Sequence, residues 1–254
     1  MSALPISVRL LLSYLLVAVL PLAGLVAFQL ASFEASLRAT VLAHMAVVAD
    51  KKAGQIDSYM AERFADAQLL GHRGLVHEGI AALSDALRTG GLDAPRYVAT
   101  AQRLRDDLGV SYGVEDFYDV LLIDATGNVV FSFAQEADLG TSLTHGPYRD
   151  TRLAKVFAQT TRTLRTRFTP FASYPPSGNR PAAFVVAPVL DDGALVGAVV
   201  LQLDPDRLES VTADRTGLGR SGETVLVQKD EDGQVLMMPP GHLLDGEERE
   251  RGHA

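Results

Sequence analysis

The chain has 254 residues, of which 47% are hydrophobic and 21% charged, and its formal net charge is -8. That length and balance supply a core and exclude wholesale disorder, and the acidic excess argues against a nucleic-acid partner, because phosphate binding needs a basic face. No cysteine is present, which removes disulfides, thiolate metal ligands and cysteine nucleophiles.

Leu10 to Phe28 reads LLLSYLLVAVLPLAGLVAF and carries no charge. That is about the length needed to cross ~30 Å of hydrocarbon. Arg9 precedes it and the following flank begins with Glu34, so the positive-inside rule puts residues 1–7 in the cytoplasm, 8–30 in the inner membrane and the rest in the periplasm or outside. Pro21 is expected to kink the span without breaking it. A cleaved signal peptide would have an apolar region of about 7–15 residues and then a small-x-small site. The run here is longer and flows into helical sequence, which favours an uncleaved anchor.

Residues 31–115 read as helical. From Ala31 to about Leu70 there is no proline, and apolar residues at Phe33, Leu37, Val41, Met45 and Val48 recur every three or four positions, marking one helical face. That stripe either pairs with its copy in a homodimer or packs against its own domain; the spacing allows both. Gly71-His72-Arg73-Gly74 is a break, and helices are expected over 76–87 and 95–108. His72 and His77, with Glu78, are badly spaced for metal ligands on one helical face, and no metal site is expected.

The character changes at Phe117. Tyr118–Ile123 and Val129–Phe133 flank a Gly/Asn turn and read as a β-hairpin. A loop from Asp138 leads through His145-Gly-Pro-Tyr148 into a helix over 150–159. Strands are expected over 166–172, 182–190 and 195–203, the last two joined by Asp191-Asp192-Gly193. Pro205 starts a helix to about Asp214. The order predicts an α+β fold in which a membrane helix runs into a long helix, followed by a five-stranded antiparallel sheet of the PAS-like kind. A small ligand is expected on the sheet's concave face.

At this point the chain resembles the Cache sensor superfamily, in its double-Cache form. The residues that carry the likeness are Tyr118–Gly127 (YDVLLIDATG), Gly146-Pro147-Tyr148, Arg180–Val189 (RPAAFVVAPV), Leu195-Val196-Gly197 and Gly217–Thr224 (GLGRSGET). The resemblance spans about residues 8–238. It implies a membrane-distal, ligand-binding module over 116–214 and the start of an incomplete membrane-proximal module over 215–238, with a first strand at Val225–Gln228. A polar tail, 239–254, would follow. The resemblance also implies the sensing part of a bacterial chemoreceptor, sensor histidine kinase or diguanylate cyclase, truncated before its output. Members that bind amino acids place an arginine and aromatic residues before the short helix, and later an aspartate. Here His145 and Pro147 stand at the arginine and tryptophan places, Tyr148 is retained, and Ser173 falls at the aspartate place. Histidine and serine do not replace a guanidinium fork and a carboxylate, so an α-amino acid is not expected as the ligand.

Other motifs carry less. Gly217-x-Gly219-x-x-Gly222 matches a dinucleotide fingerprint by letter, but a helix precedes it and a strand follows, the reverse of what phosphate binding needs. Asp124, Asp191 and Asp192 read as turn formers, and Ser221 lacks a nucleophile-elbow context. No catalytic set is legible, so the chain is read as a non-enzyme without cofactor. The expected ligand-binding residues are Tyr148, Arg152, Phe171, Ser173, Tyr174 and Phe184. Tyr148 and Tyr174 are favoured for their polar tips in loop-adjacent positions, and Arg152, one helical turn on from Tyr148, and Arg180, at a strand mouth, are candidate anion holders. The expected partners are an unidentified small molecule, the lipid bilayer and a second copy of the chain through the long helix. The alternative function is a membrane-tethered interaction or dimerisation domain without a ligand.

Overall fold

The computed structural model describes residues 5–111, 117–219, 222–229 and 235–237. Two compact units divide the chain, Met1–Lys51 with Thr216–Gly222 and Lys52–Arg215 with Glu223–Ala254.

Helix α1, Ile6–Gly71, is unbroken, with Pro21 inside it. Over the first unit its apolar side chains are exposed, among them Leu16, Leu20, Phe28, Phe33 and Leu37. In that unit His44 Nε2 lies 2.7 Å from the Gly217 carbonyl oxygen.

The second unit holds the sheet. Two helices come first, α2 (Gly74–Gly90) and α3 (Pro95–Ser111), followed by the hairpin β1 (Phe117–Asp124) and β2 (Val129–Ser132). Helix α4 (Arg152–Thr163) starts at Thr151, whose hydroxyl accepts from the Ala154 amide. Short strands β3 (Arg167–Phe168), β4 (Ala172–Ser173) and β5 (Pro181–Ala182) lead to the long hairpin β6 (Phe184–Asp191) and β7 (Ala194–Leu203). Helix α5, Pro205–Ala213, is capped by Asp204. Strands β8 (Val227–Lys229) and β9 (Val235–Met237) form a separate antiparallel pair.

The main sheet is antiparallel, in the order β2-β1-β7-β6-β3. Alternation sends Leu122, Val185, Val199 and Leu201 to one face, where they pack with Leu70 of α1, Ile80 of α2 and Leu104 of α3. Leu121, Ile123, Phe184 and Val200 face the other side and pack with Leu153 and Phe157 of α4. Both faces are therefore buried.

Two cations are taken inside and answered locally. Lys52 donates to the carbonyls of Val211 and Asp214, at the end of α5, each at 2.6 Å. Arg63 pairs with Asp66 at 3.0 Å, and its guanidinium sits 4.8 Å above the Phe117 ring.

Most expected elements are present, and two are corrected. The strand expected over 166–172 is two strands in different sheets. Thr169 ends β3 by exchanging bonds with Phe184, accepting its amide on Oγ1 and donating to its carbonyl. Pro170 has no amide with which to continue the ladder. The strand expected over 182–190 is likewise divided at Ala183, whose carbonyl accepts from the Leu203 amide. The expected polar tail, 239–254, lies outside the described residues.

The β6–β7 turn uses Asp192 and Gly193, with φ of 46° and 82°. Two successive positive φ values match the twist of a tight hairpin. Gly197 serves close approach: a Cβ there would lie 2.1 Å from the Ile123 carbonyl oxygen. Gly197→Ala is therefore expected to push β7 from β1 and lower stability by about 2 kcal/mol or more. Gly74→Ala, with nothing within 4 Å of the added atom, should not destabilise. Chemical denaturation of both variants checks the contrast.

Candidate functional site

The α4 side of the sheet is where the expected ligand residues divide. Tyr148 is half-buried against the α4-side cluster, and its carbonyl accepts from Thr151 at 2.7 Å. Phe184 is buried, and Tyr174 meets it edge to face with ring centroids 4.8 Å apart. These three share one face. Arg152 opens α4 and lines a separate 60 Å³ crevice with Lys155, Phe168 and Thr169. Phe171 packs against the cluster on the opposite face. Ser173 is exposed, and its hydroxyl donates to the Asn179 carbonyl at 3.1 Å. His145 engages the Thr144 hydroxyl through Nδ1 at 2.8 Å.

The Tyr174 hydroxyl turns inward. It donates to Asp138 Oδ2 at 2.6 Å, in a site where both residues are almost wholly buried. Asp138 belongs to a network that the sequence reading did not anticipate. Asp119, near the start of β1, is 2% exposed and takes the Ser132 hydroxyl at 2.7 Å and the Ala134 amide at 2.9 Å. Glu136 accepts Tyr118 on one oxygen at 2.7 Å and Ser177 on the other at 2.6 Å. Gln202, 3% exposed near the end of β7, donates to Ser177 Oγ at 3.0 Å. Three acids thus hold the segment after β2 to β1, to the Pro175–Ser177 turn and to Tyr174. Their donors are hydroxyls and amides rather than cations.

The electrostatics follow from that choice of donors. Burial pushes the Asp119 carboxyl up to about 6, with the Asp138 charge adding to the effect and the Ala134 and Ser132 bonds opposing it. Burial also raises Asp138; the Tyr174 bond opposes this and the Glu136 charge adds to it. Tyr174 is held far above its ordinary value by burial and by the Asp138 charge. Asp124 behaves otherwise. Burial would raise it, but bonds from Thr126 and Asn128 keep it below the usual range, as suits an anchor of the β1–β2 turn.

A cavity of about 240 Å³ adjoins the network, lined by Tyr118, Ser177, Arg180, Gln202, Asp204 and Asp206 among others. The Arg180 guanidinium lies 4.6 Å over the Tyr118 ring. Among the described residues, no group of three or more histidines or acids is placed to hold a metal ion. One signal for this site was legible: Asp119 and Gln202 are polar residues inside strand runs that are otherwise apolar.

A family model described as "Cache domain" matches residues 33–248. Among solved structures, the chain is similar to the sensor domain of the V. cholerae histidine kinase DctB, at 18% identity and a TM-score of 0.50, covering 70% of this chain and 61% of that one. The ligand-binding domain of the Campylobacter jejuni chemoreceptor Tlp3, solved with 4-methylisoleucine, is 8% identical with a TM-score of 0.48, covering 74% of this chain and 65% of that one. The ligand-binding domain of the Pseudomonas aeruginosa amino acid chemoreceptor PctC, solved with GABA, is 15% identical with a TM-score of 0.46, covering 76% and 73%. The chain thus spans less than two thirds of the V. cholerae and C. jejuni domains. No curated protein matches.

The raised Asp119 carboxyl ties stability to pH. The folded state keeps a proton down from about pH 6, whereas the unfolded chain releases it above its ordinary 3.8. Stability from this group is therefore gained as pH falls from 6 toward 4, and it is flat above that window. Asp119→Asn should remove a slope on the order of 2 kcal/mol across the window. Denaturation midpoints of the wild type and the variant, compared from pH 4 to pH 8, measure it.

Proposed function

The chain belongs to the Cache domain family, and on that premise we propose that it is the extracytoplasmic small-ligand sensor of a transmembrane signalling protein. The output it serves would be chemotaxis or the control of a kinase or cyclase. The observation that carries this reading is the family match over residues 33–248, which begins just after the apolar segment of α1. Among the described residues α1 is long and apolar enough to cross a bilayer. In this reading residues 1–7 are cytoplasmic, 8–30 span the inner membrane, 116–214 form the distal module and 215–238 begin a second one.

The sensing surface is assigned to the α4 side of the sheet, with Tyr148, Tyr174 and Phe184 lining it and Arg152 at the start of α4. Phe171 and Ser173, whose contacts lie elsewhere, stand at the margin of that assignment. Signalling requires a ligand that binds one conformation more tightly than another. Free α-amino acids do not suit the site. His145 and Ser173 are already engaged with Thr144 and Asn179, and neither supplies a guanidinium or a carboxylate.

A second reading is favoured by a specific observation. Phe33, Leu37, Val41 and Met45 are exposed on α1. A continuous apolar stripe of this kind suits pairing with a second copy of the chain. The second reading makes this pairing the whole function, with no ligand.

Two measurements separate the readings. A thermal-shift screen of the full chain in nanodiscs, run against a metabolite panel, should find a stabilising compound; at one hundred times its Kd the gain is about 2.7 kcal/mol. A folded protein shifted by nothing would leave only the second reading. The chain lacks cysteine, so a single Val41→Cys reports pairing cleanly. Oxidation in membranes should give a disulfide-linked dimer, and its absence would remove helix pairing from both readings.

A further inference from the structure

Residues 149–167 stand apart in charge. They include six arginines or lysines and one aspartate, in a chain whose formal net charge is -8. That aspartate, Asp150, lies 3.6 Å from Arg149. Among the described residues none of Arg152, Lys155, Arg162, Arg165 and Arg167 makes an ion pair. Lys155, Arg162 and Arg165 are exposed, and Arg152 and Arg167 are half-buried.

The fold gathers these charges. Helix α4 buries Leu153, Val156, Phe157 and Thr160. Arg152, Lys155, Gln159 and Arg162, at spacings of three, four and three, therefore form an outward stripe. The first three border one crevice beside β3. Arg167 of β3 pairs with Val186, which packs on the α4 side, and its Nε donates to Thr163 Oγ1 at 3.4 Å. Helix and edge strand thus present one basic face, about 15 Å long from Arg152 to Arg162 at ~1.5 Å per residue. Helix stability does not account for it. Arg152 opens α4, Lys155 follows three residues on, and the first turn holds no acid. The macrodipole favours acids there, and like charges at this spacing repel.

The chemistry of the face selects its occupant. Guanidinium forks match carboxylates and other planar or tetrahedral anions bidentately. Ala158 is the one exposed apolar residue within α4, so the face lacks the aromatic, apolar centre of a protein interface. The Gln159 side chain makes no hydrogen bond among the described residues, and its amide can both donate to and accept from a hydroxyl. The crevice of about 60 Å³ is too small to enclose a molecule, so the occupant lies along the face. We propose that the α4–β3 face docks a linear anionic polysaccharide, with Arg152, Lys155, Arg162 and Arg167 holding its charged groups and Gln159 its hydroxyls. This goes beyond the small-ligand reading and does not rest on it.

Fluorescence anisotropy of labelled polygalacturonate, titrated with the full chain in phosphatidylcholine nanodiscs, tests it. Dextran serves as the uncharged counterpart and polyglutamate as an acidic polypeptide. Polygalacturonate should bind, dextran should not, and raising salt from about 0.05 M to about 0.5 M should abolish binding. Lys155→Gln combined with Arg162→Gln should weaken it about tenfold, the size of two exposed ion pairs. Both residues are exposed, so the double variant keeps the fold. Arg103→Gln, which removes an exposed cation from α3, should change nothing. Absence of polygalacturonate binding would overturn the proposal. Binding that the double variant leaves unchanged, or that Arg103→Gln weakens equally, would overturn this face. Polyglutamate binding as tightly as polygalacturonate would overturn the polysaccharide as partner.

Discussion

The sheet is buried on both faces, and the rest of the second unit follows from that. An antiparallel sheet with one wet face can send its polar residues outward. This one has helices α1, α2 and α3 against one side and α4 against the other. Strands β1 and β7 are accordingly near-continuous apolar runs, and any polar group within them needs a partner inside the protein. Asp119 and Gln202 are those exceptions: Ser132 and Ala134 serve the first, and Ser177 of the Pro175–Ser177 turn serves the second.

The partners found for the buried acids are hydroxyls and backbone amides, not cations. Taking a carboxylate out of water costs several kcal/mol, and a neutral donor offsets less of that than a cation would. The outcome is a raised Asp119 and Asp138 rather than a firmly charged pair. The segment after β2 is therefore anchored by groups whose bonding depends on their charge state. This contrasts with Asp124, held below the usual range by its turn, and with Lys52, which sits on the carbonyls at the end of α5. Those contacts serve architecture.

Much of the fold was legible because it is written locally. The apolar repeat from Phe33, the Gly71–Gly74 break, the Asp191–Gly193 hairpin and the proline start of α5 each depend on neighbours within a few positions. The error over 166–172 has a local cause as well. Thr169 and Pro170 sit in a stretch with strand-like composition, but a missing amide and a side chain bonded to the Phe184 backbone end the ladder there. The candidate residues lie in different surroundings, for a different reason. Tyr148 and Tyr174 are favoured for polar tips in loop-adjacent positions; Tyr174 spends its hydroxyl on buried Asp138, and Phe171 packs on the opposite face. Gln202 was passed over because one polar residue in a ten-residue strand does not disturb an apolar pattern.

By itself, the sequence determined the membrane-length apolar segment, the helical stretches, the two main hairpins and the likeness to the Cache family. All of these rest on periodicity, turn chemistry and motifs that short segments carry intact. Only the tertiary structure decided that Asp119, Glu136, Asp138, Tyr174, Ser177 and Gln202 would meet. Periodicity tells which residues turn inward. It is silent on which inward-facing residues from distant segments share a contact, because strand order and register are settled by packing across the whole sheet.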